Sequence, residues 1–290
     1  MSDWFVFLLI GTGSGAVYAA IAMGTILTYR GSGVVNFAQG AMATYPALVY
    51  LELRDKGQLV LPVLPWHHRI HLSGPMTFWP AFLIATAVAA GMGYLIDALI
   101  FRHLSNATHV TKVIASIGTS TAMLGLIMVQ YTGRFGIAGA NSVKPILPRE
   151  TVRIFGTNVT TDRFWLVGVV ALVGFGLWAV YKWTWFGLAT RAAAQNRVGS
   201  QLLGISPNIV SSVNWALAGM IAGLTGILAS PMLGVSLRGF EVFIAYSLAA
   251  AMACRLRSFS LATVTGIALG MFESLTVRIK RSEERRVGKE

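Results

Sequence analysis

Two stretches of the 290-residue chain hold residue types that could do chemistry. The first, Val34-Val-Asn36-Phe37-Ala-Gln39-Gly40, sets two side-chain amides and a glycine at the head of an apolar run that also contains Thr44 and Pro46. Proline has no N–H, so a helix passing through position 46 should break or kink there. A broken helix at membrane depth exposes backbone N–H and C=O groups, which is tolerated only where they line a cavity or a protein interface. Half-helix ends of that kind can face the carboxylate of a solute, which makes Asn36, Phe37, Gln39 and Gly40 candidates for a substrate pathway. The alternative is a kinked helix whose amides only bond a neighbouring helix.

The second stretch is 187–205, inside the long polar interval 182–207, and carries Arg191, Ala193, Gln195, Asn196, Arg197, Leu203 and Gly204. Ala192, Ala193 and Ala194 favour helix. Gly187, Gly199 and Gly204 cut the segment into short pieces, and Pro207 precedes the next apolar run. Short helices with a small-residue face and basic flanks suit docking into a groove on a partner. A solvated connector would not need so long a patterned segment.

Other motifs fail on context. Gly11-Thr-Gly13-Ser-Gly15-Ala16 matches a dinucleotide fingerprint formally, but it lies inside an apolar helix with no preceding strand. The pairs Gly11/Gly15, Gly219/Gly223 and Gly266/Gly270 fit the small-xxx-small pattern that lets membrane helices approach closely. No phosphate-binding G-x-x-x-x-G-K-[ST] loop occurs, so the chain has no P-loop means of hydrolysing ATP. His67, His68 and His71 cluster beside Trp66, yet no carboxylate or cysteine joins them, and no metal or other cofactor is expected. Asn158-Val-Thr160 is a glycosylation sequon by pattern alone. Ionisable residues at membrane depth are nearly absent, Asp97, Lys112 and Glu273 standing out, poor means for coupling to protons. No nucleophile–base pair stands out, so the chain is not read as an enzyme.

The elements that must position these residues follow from composition. Hydrophobic residues make up 55% and charged residues 12%, about half the charge of a soluble domain. The net charge of +12 is spread over loops between apolar blocks rather than gathered in one patch, which argues against a nucleic-acid partner. Disorder is excluded by the apolar content, and a disulfide scaffold by the single Cys254. Apolar runs at 4–29, 34–51, 78–101, 110–131, 164–181, 208–231, 240–254 and 260–277 predict an all-α polytopic membrane protein with about eight transmembrane helices, the second one broken. The run 240–254 is short enough to be re-entrant instead. A β-barrel would need shorter segments with alternating hydrophobicity.

Met1-Ser2-Asp3 carries no basic residue and the first run is too long for a secretory signal. Basic residues fall in nearly equal numbers on the two sides, but those on the Arg30 side are in short loops free of acid, placing the N-terminus outside. The outside loop 132–162 holds a small β element, with Thr151-Val-Arg-Ile-Phe alternating and Val159-Thr-Thr returning. The other large outside loop, 53–77, carries Pro62, Pro65, Gly74 and Pro75 and is expected to be irregular.

Together, V-N-F-A-Q-G after the first run and R-A-x-A-Q-N-x-x-x-x-x-L-L-G-I before the sixth resemble the permease subunit of branched-chain amino acid ABC importers, the LivH-type family. The resemblance spans about residues 5–273 and implies a transmembrane permease domain over 1–280 in a bacterial-type cell membrane. It further implies a second related permease, two cytoplasmic ATPase subunits and an extracytoplasmic substrate-binding protein. On that pattern 191–205 is the ATPase coupling region and 36–40 lies near the translocation path. Related permeases also serve urea and short amides, and a stand-alone secondary transporter or channel is the reading from a different class. The sequence departs from its relatives in having Gln39 where many have His, and in ending with the polar segment 281–290, which reads as a non-native tail.

Overall fold

The computed structural model describes residues 2–62, 69–72, 74–131, 146–154, 157–234, 240 and 242–287. It is a helical bundle: α1 (Ser2–Ser32), α2 (Gln39–Lys56), α3 (Phe78–Ile96), α4 (His109–Tyr131), α5 (Asp162–Trp183), α6 (Trp185–Gln195), α7 (Arg197–Leu202), α8 (Pro207–Leu233), α9 (Phe243–Ala253) and α10 (Phe259–Val287). Six of these contain runs long and apolar enough to cross a hydrocarbon layer, namely parts or all of α1, α3, α4, α5, α8 and α10.

The remaining two expected spans depart from expectation. α9 has 11 residues, a length of about 16 Å, roughly half the hydrocarbon thickness. α2 has 18 residues and closes on Glu52, Arg54, Asp55 and Lys56, so it is too charged at one end to qualify on its own. It is instead wrapped by protein, with every residue from Gln39 to Leu53 buried. The expected break at Pro46 is also displaced, because α2 runs through that residue. The chain leaves helical geometry upstream, where Gly33 (φ +70°) follows the end of α1 and Val34, Val35 and Asn36 have no regular structure. Pro46 packs against the backbone of α8 at Gly223, so the neighbouring helix supports the proline position.

Glycines make the tightest seams. A Cβ on Gly11 or Gly15 would overlap α10 at Gly270 or Ile267, and one on Gly266 or Gly270 would overlap α1 at Ala19 or Gly15. The same holds where Gly219 of α8 meets Ala89 and Gly93 of α3. Lipid tails are as apolar as these side chains, so helix association rests on such close backbone approach.

The loop 132–162 contains the expected β element over its described part: β3 (Thr151–Ile154) pairs antiparallel with β4 (Thr157–Thr160), Val152 opposite Val159. The loop 53–77 is more ordered than its prolines predict. Gln58–Val60 (β1) pairs with Arg69–His71 (β2), Leu59 opposite Ile70. Tyr45 and Gln130 hold that hairpin to the bundle, as the Tyr45 hydroxyl reaches Gln130 Oε1 at 2.7 Å and Gln130 Nε2 donates to the Leu61 carbonyl at 3.2 Å. Of the histidine cluster, His71 lies beside Gln58 in this hairpin, while His67 and His68 fall outside the described residues. α10 continues as helix past position 281 to Val287.

Candidate functional site

The first candidate stretch forms the turn between α1 and α2. Asn36 and Gln39 meet there: Asn36 Nδ2 donates to Gln39 Oε1 at 2.8 Å, and Asn36 Oδ1 accepts from the Ala38 N–H at 2.9 Å. Gln39 Nε2 in turn donates to the Ala218 carbonyl of α8 at 2.9 Å. Both amides are buried, so each polar group left without a partner would be penalised heavily, and these bonds fix the turn. Ser116 of α4 completes it, accepting from the Phe37 N–H at 2.7 Å and donating to the Val35 carbonyl at 3.2 Å. Gly24 of α1 leaves the space that the Gln39 amide fills. Phe37 is half-buried, and Gly40 is buried in the first turn of α2, its carbonyl accepting from Thr44. The turn is thus a knot that joins α2, α4 and α8 by hydrogen bonds and α1 by packing.

The second stretch forms an elbow of two capped helices. Thr184 caps α6 through the Gly187 N–H, and Asn196 caps α7 by accepting from the Gly199 N–H at 2.8 Å. Gly204 (φ +79°) then turns the chain toward α8, a conformation suited to glycine. Arg191, Gln195, Asn196, Leu203 and Gly204 are exposed, whereas Ala193 and Arg197 are half-buried. The tip is apolar: Val198 is 66% exposed, Leu202 85% and Leu203 79%.

Residues outside both stretches fasten the elbow to the bundle. Arg197 Nη2 donates to Asn208 Oδ1 at 2.6 Å, in the first turn of α8. Asn214, two turns further on, accepts from the Tyr181 hydroxyl of α5 and donates to Thr190 Oγ1 of α6 at 3.4 Å. Between them Ser211 and Ser212 donate to the two carboxylate oxygens of buried Asp97 at 2.7 and 2.6 Å, and Arg102 donates to Ser212 at 2.9 Å. Asp97 opens a π-helical turn (Asp97–Phe101), a local widening that is frequent at functional positions. Trp215 stacks on Phe101 with ring centroids 4.5 Å apart and donates to Ser32 at the end of α1.

Sequence reading missed this α8 network. Its signals were Asp97 in an apolar run and the polar series Asn208, Ser211, Ser212 and Asn214 at the start of an apolar helix. The consequence is mechanical: α8 bonds the elbow at Asn208 and Asn214 and the amide knot at Ala218, over a distance of about 15 Å along one helix.

A family model described as branched-chain amino acid transport system / permease component matches residues 7–285. The probable branched-chain amino acid transport permease protein LivH of Methanocaldococcus jannaschii is 29% identical over 259 residues, covering 88% of this chain and 75% of its own. The high-affinity branched-chain amino acid transport system permease protein BraD of Pseudomonas aeruginosa is 25% identical over 235 residues, 79% of this chain and 71% of its own. LivH of Escherichia coli K12, of the same description, is 23% identical over 288 residues, 95% and 88% of the two chains. No solved structure matches.

Proposed function

The chain belongs to the permease-component family of branched-chain amino acid transport systems, and from that premise we propose that it is one half of the membrane channel of an ABC importer for branched-chain or other hydrophobic amino acids. The family is that of a transport component rather than an enzyme. The other half is a second related permease. Two cytoplasmic ATPase subunits supply the energy, and an extracytoplasmic binding protein delivers the solute. The chain sits in a bacterial-type plasma membrane with its N-terminus outside and the elbow inside, and it requires no cofactor or nucleic acid.

The observation that carries this reading is the joint engagement of α8 by the elbow and by the amide knot. On this proposal the exposed face around Arg191, Gln195, Asn196, Leu203 and Gly204 lies on the ATPase, with Ala193 and Arg197 behind it. Closure of the ATPase pair displaces α6 and α7. Arg197 and Thr190 pass that displacement to α8 through Asn208 and Asn214. α8 then shifts the knot of Asn36 and Gln39, with Phe37 and Gly40 beside it, against α1 and α4, and the channel changes the side on which it is open. Packed interfaces suit such discrete rearrangement because they have few intermediate states.

Reconstitution tests it. The chain, its partner permease, the ATPases and the binding protein are placed in proteoliposomes, and leucine uptake is followed with and without ATP. ATP-dependent uptake abolished by leaving out the ATPases is the expected result. Uptake by the chain alone, driven by an ion gradient, would overturn the proposal, and uptake of urea or a short amide in preference to leucine would overturn the substrate class.

A further inference from the structure

A cavity of about 680 Å³ opens where three membrane helices end together. Arg30 lies at the end of α1, Lys182 at the end of α5, and Arg257 and Ser258 directly before α10, while Arg191 and Gln195 reach in from α6. Four cationic side chains therefore line one cavity, and no acidic side chain is among the residues that line it. Aromatic rings hold two of the cations: the Arg30 guanidinium sits 4.5 Å from the Phe259 ring centroid and 5.1 Å from that of Tyr181, and Lys182 Nζ sits 4.6 Å from that of Trp178. Arg30 also donates to the Arg257 carbonyl, so its charge is fixed in the cavity wall. Clustering like charges is unfavourable unless an anion offsets them.

We infer that this cavity is a binding site for the phosphate headgroup of an anionic phospholipid. Basic pockets between helices at the membrane boundary are the usual receptors for such headgroups, and tryptophan belongs at the same depth. The hydroxyl of Ser258 and the amide of Gln195 add neutral donors for phosphate oxygens. Acyl chains would find apolar surface close by, because Phe175 and Trp183 on α5 and Leu261 on α10 are 59%, 68% and 55% exposed. That continuity favours a lipid over free phosphate. The inference rests on the membrane-spanning fold; it shares Arg191 and Gln195 with the face proposed for the ATPase, whereas Arg30, Lys182 and Arg257 belong to the cavity alone. Its consequence for the transport reading is that a lipid would bridge α6 of the elbow to α1, α5 and α10.

The test uses the full chain in nanodiscs of phosphatidylcholine doped with phosphatidylglycerol, with retained lipid read by native mass spectrometry. The wild-type chain should retain phosphatidylglycerol in preference to phosphatidylcholine. Each basic side chain near an anionic headgroup changes binding by roughly fivefold, so Lys182→Gln with Arg257→Gln should lower that preference by about twentyfold or more. The charge-keeping pair Lys182→Arg with Arg257→Lys should preserve it, and unchanged thermal midpoints in pure phosphatidylcholine exclude misfolding as the cause. Undiminished retention by the charge-removing pair overturns the site. Displacement by millimolar inorganic phosphate overturns the lipid in favour of a free anion. Loss of the lipid from the wild-type chain when ATPase subunits are bound overturns it in favour of an acidic side chain of the partner.

Discussion

Arg197 Nη2 and Asn208 Oδ1 stand 2.6 Å apart, joining the short helix of the elbow to the first turn of α8. A hydrogen bond to a charged group contributes about 1.5–3 kcal/mol, and this one spans the Gly204 turn. Arg197→Ala is expected to leave the transporter assembled while lowering solute uptake about tenfold, with ATP hydrolysis falling less. A matched loss of uptake and hydrolysis would place Arg197 in assembly instead.

Gln39 fills the space that Gly24 leaves. Gly24→Ala should push the amide off the Ala218 carbonyl and destabilise the chain by about 1–3 kcal/mol, the penalty for an unmade buried bond. Gln39→Ala breaks the same bond without any overlap. The two changes share one partner, so the double variant should be scarcely less stable than Gln39→Ala alone. Thermal midpoints in detergent measure this directly, and strict additivity would contradict it.

Leu202 and Leu203 are 85% and 79% exposed, so their side chains add little to packing among the described residues. Leu202→Glu should therefore leave the thermal midpoint unchanged and reduce co-purification of the ATPase subunits by about tenfold, the magnitude of losing one apolar anchor at an interface. Unaltered co-purification would remove the tip from the contact.

Gly270 faces the backbone of α1 at Gly15 with no room for a Cβ. Gly270→Leu should force α1 and α10 apart and destabilise the bundle by about 3 kcal/mol, at the upper end of the range for overpacking. Size-exclusion profiles that stay monodisperse, with an unchanged midpoint, would show that the seam yields easily.

The sequence made this seam visible because small residues four positions apart report a close helix crossing without help from anything distant. The β3–β4 ribbon was legible for a similar local reason, through alternation at Thr151–Ile154. α2 was harder. Its apolar run stops at Leu51 while the helix continues through Lys56, and only the surrounding helices explain why Glu52 can be buried. Pro46 misled because α2 runs through it, packed against α8 at Gly223, a contact that no local pattern encodes. At the site, Asn36 with Gln39 and Asn196 with Arg197 stood out as polar pairs in distinctive settings. The pairing of Asp97 with Ser211 was not legible, because 114 residues separate them and no local pattern joins the two.

The burial of α2 also bears on biogenesis. A helix closing on Glu52, Arg54, Asp55 and Lys56 partitions poorly into lipid by itself, and α8, which covers it, is synthesised only after residue 206. Its contacts with α8 form only once α8 has been made, so nascent chains arrested before Pro207 should leave a cysteine placed at Ala43, which meets Gly226, more open to a maleimide than chains long enough for α8 to have left the ribosome. α2, buried from Gln39 to Leu53, thus takes its final place only after a helix that follows it far along the chain.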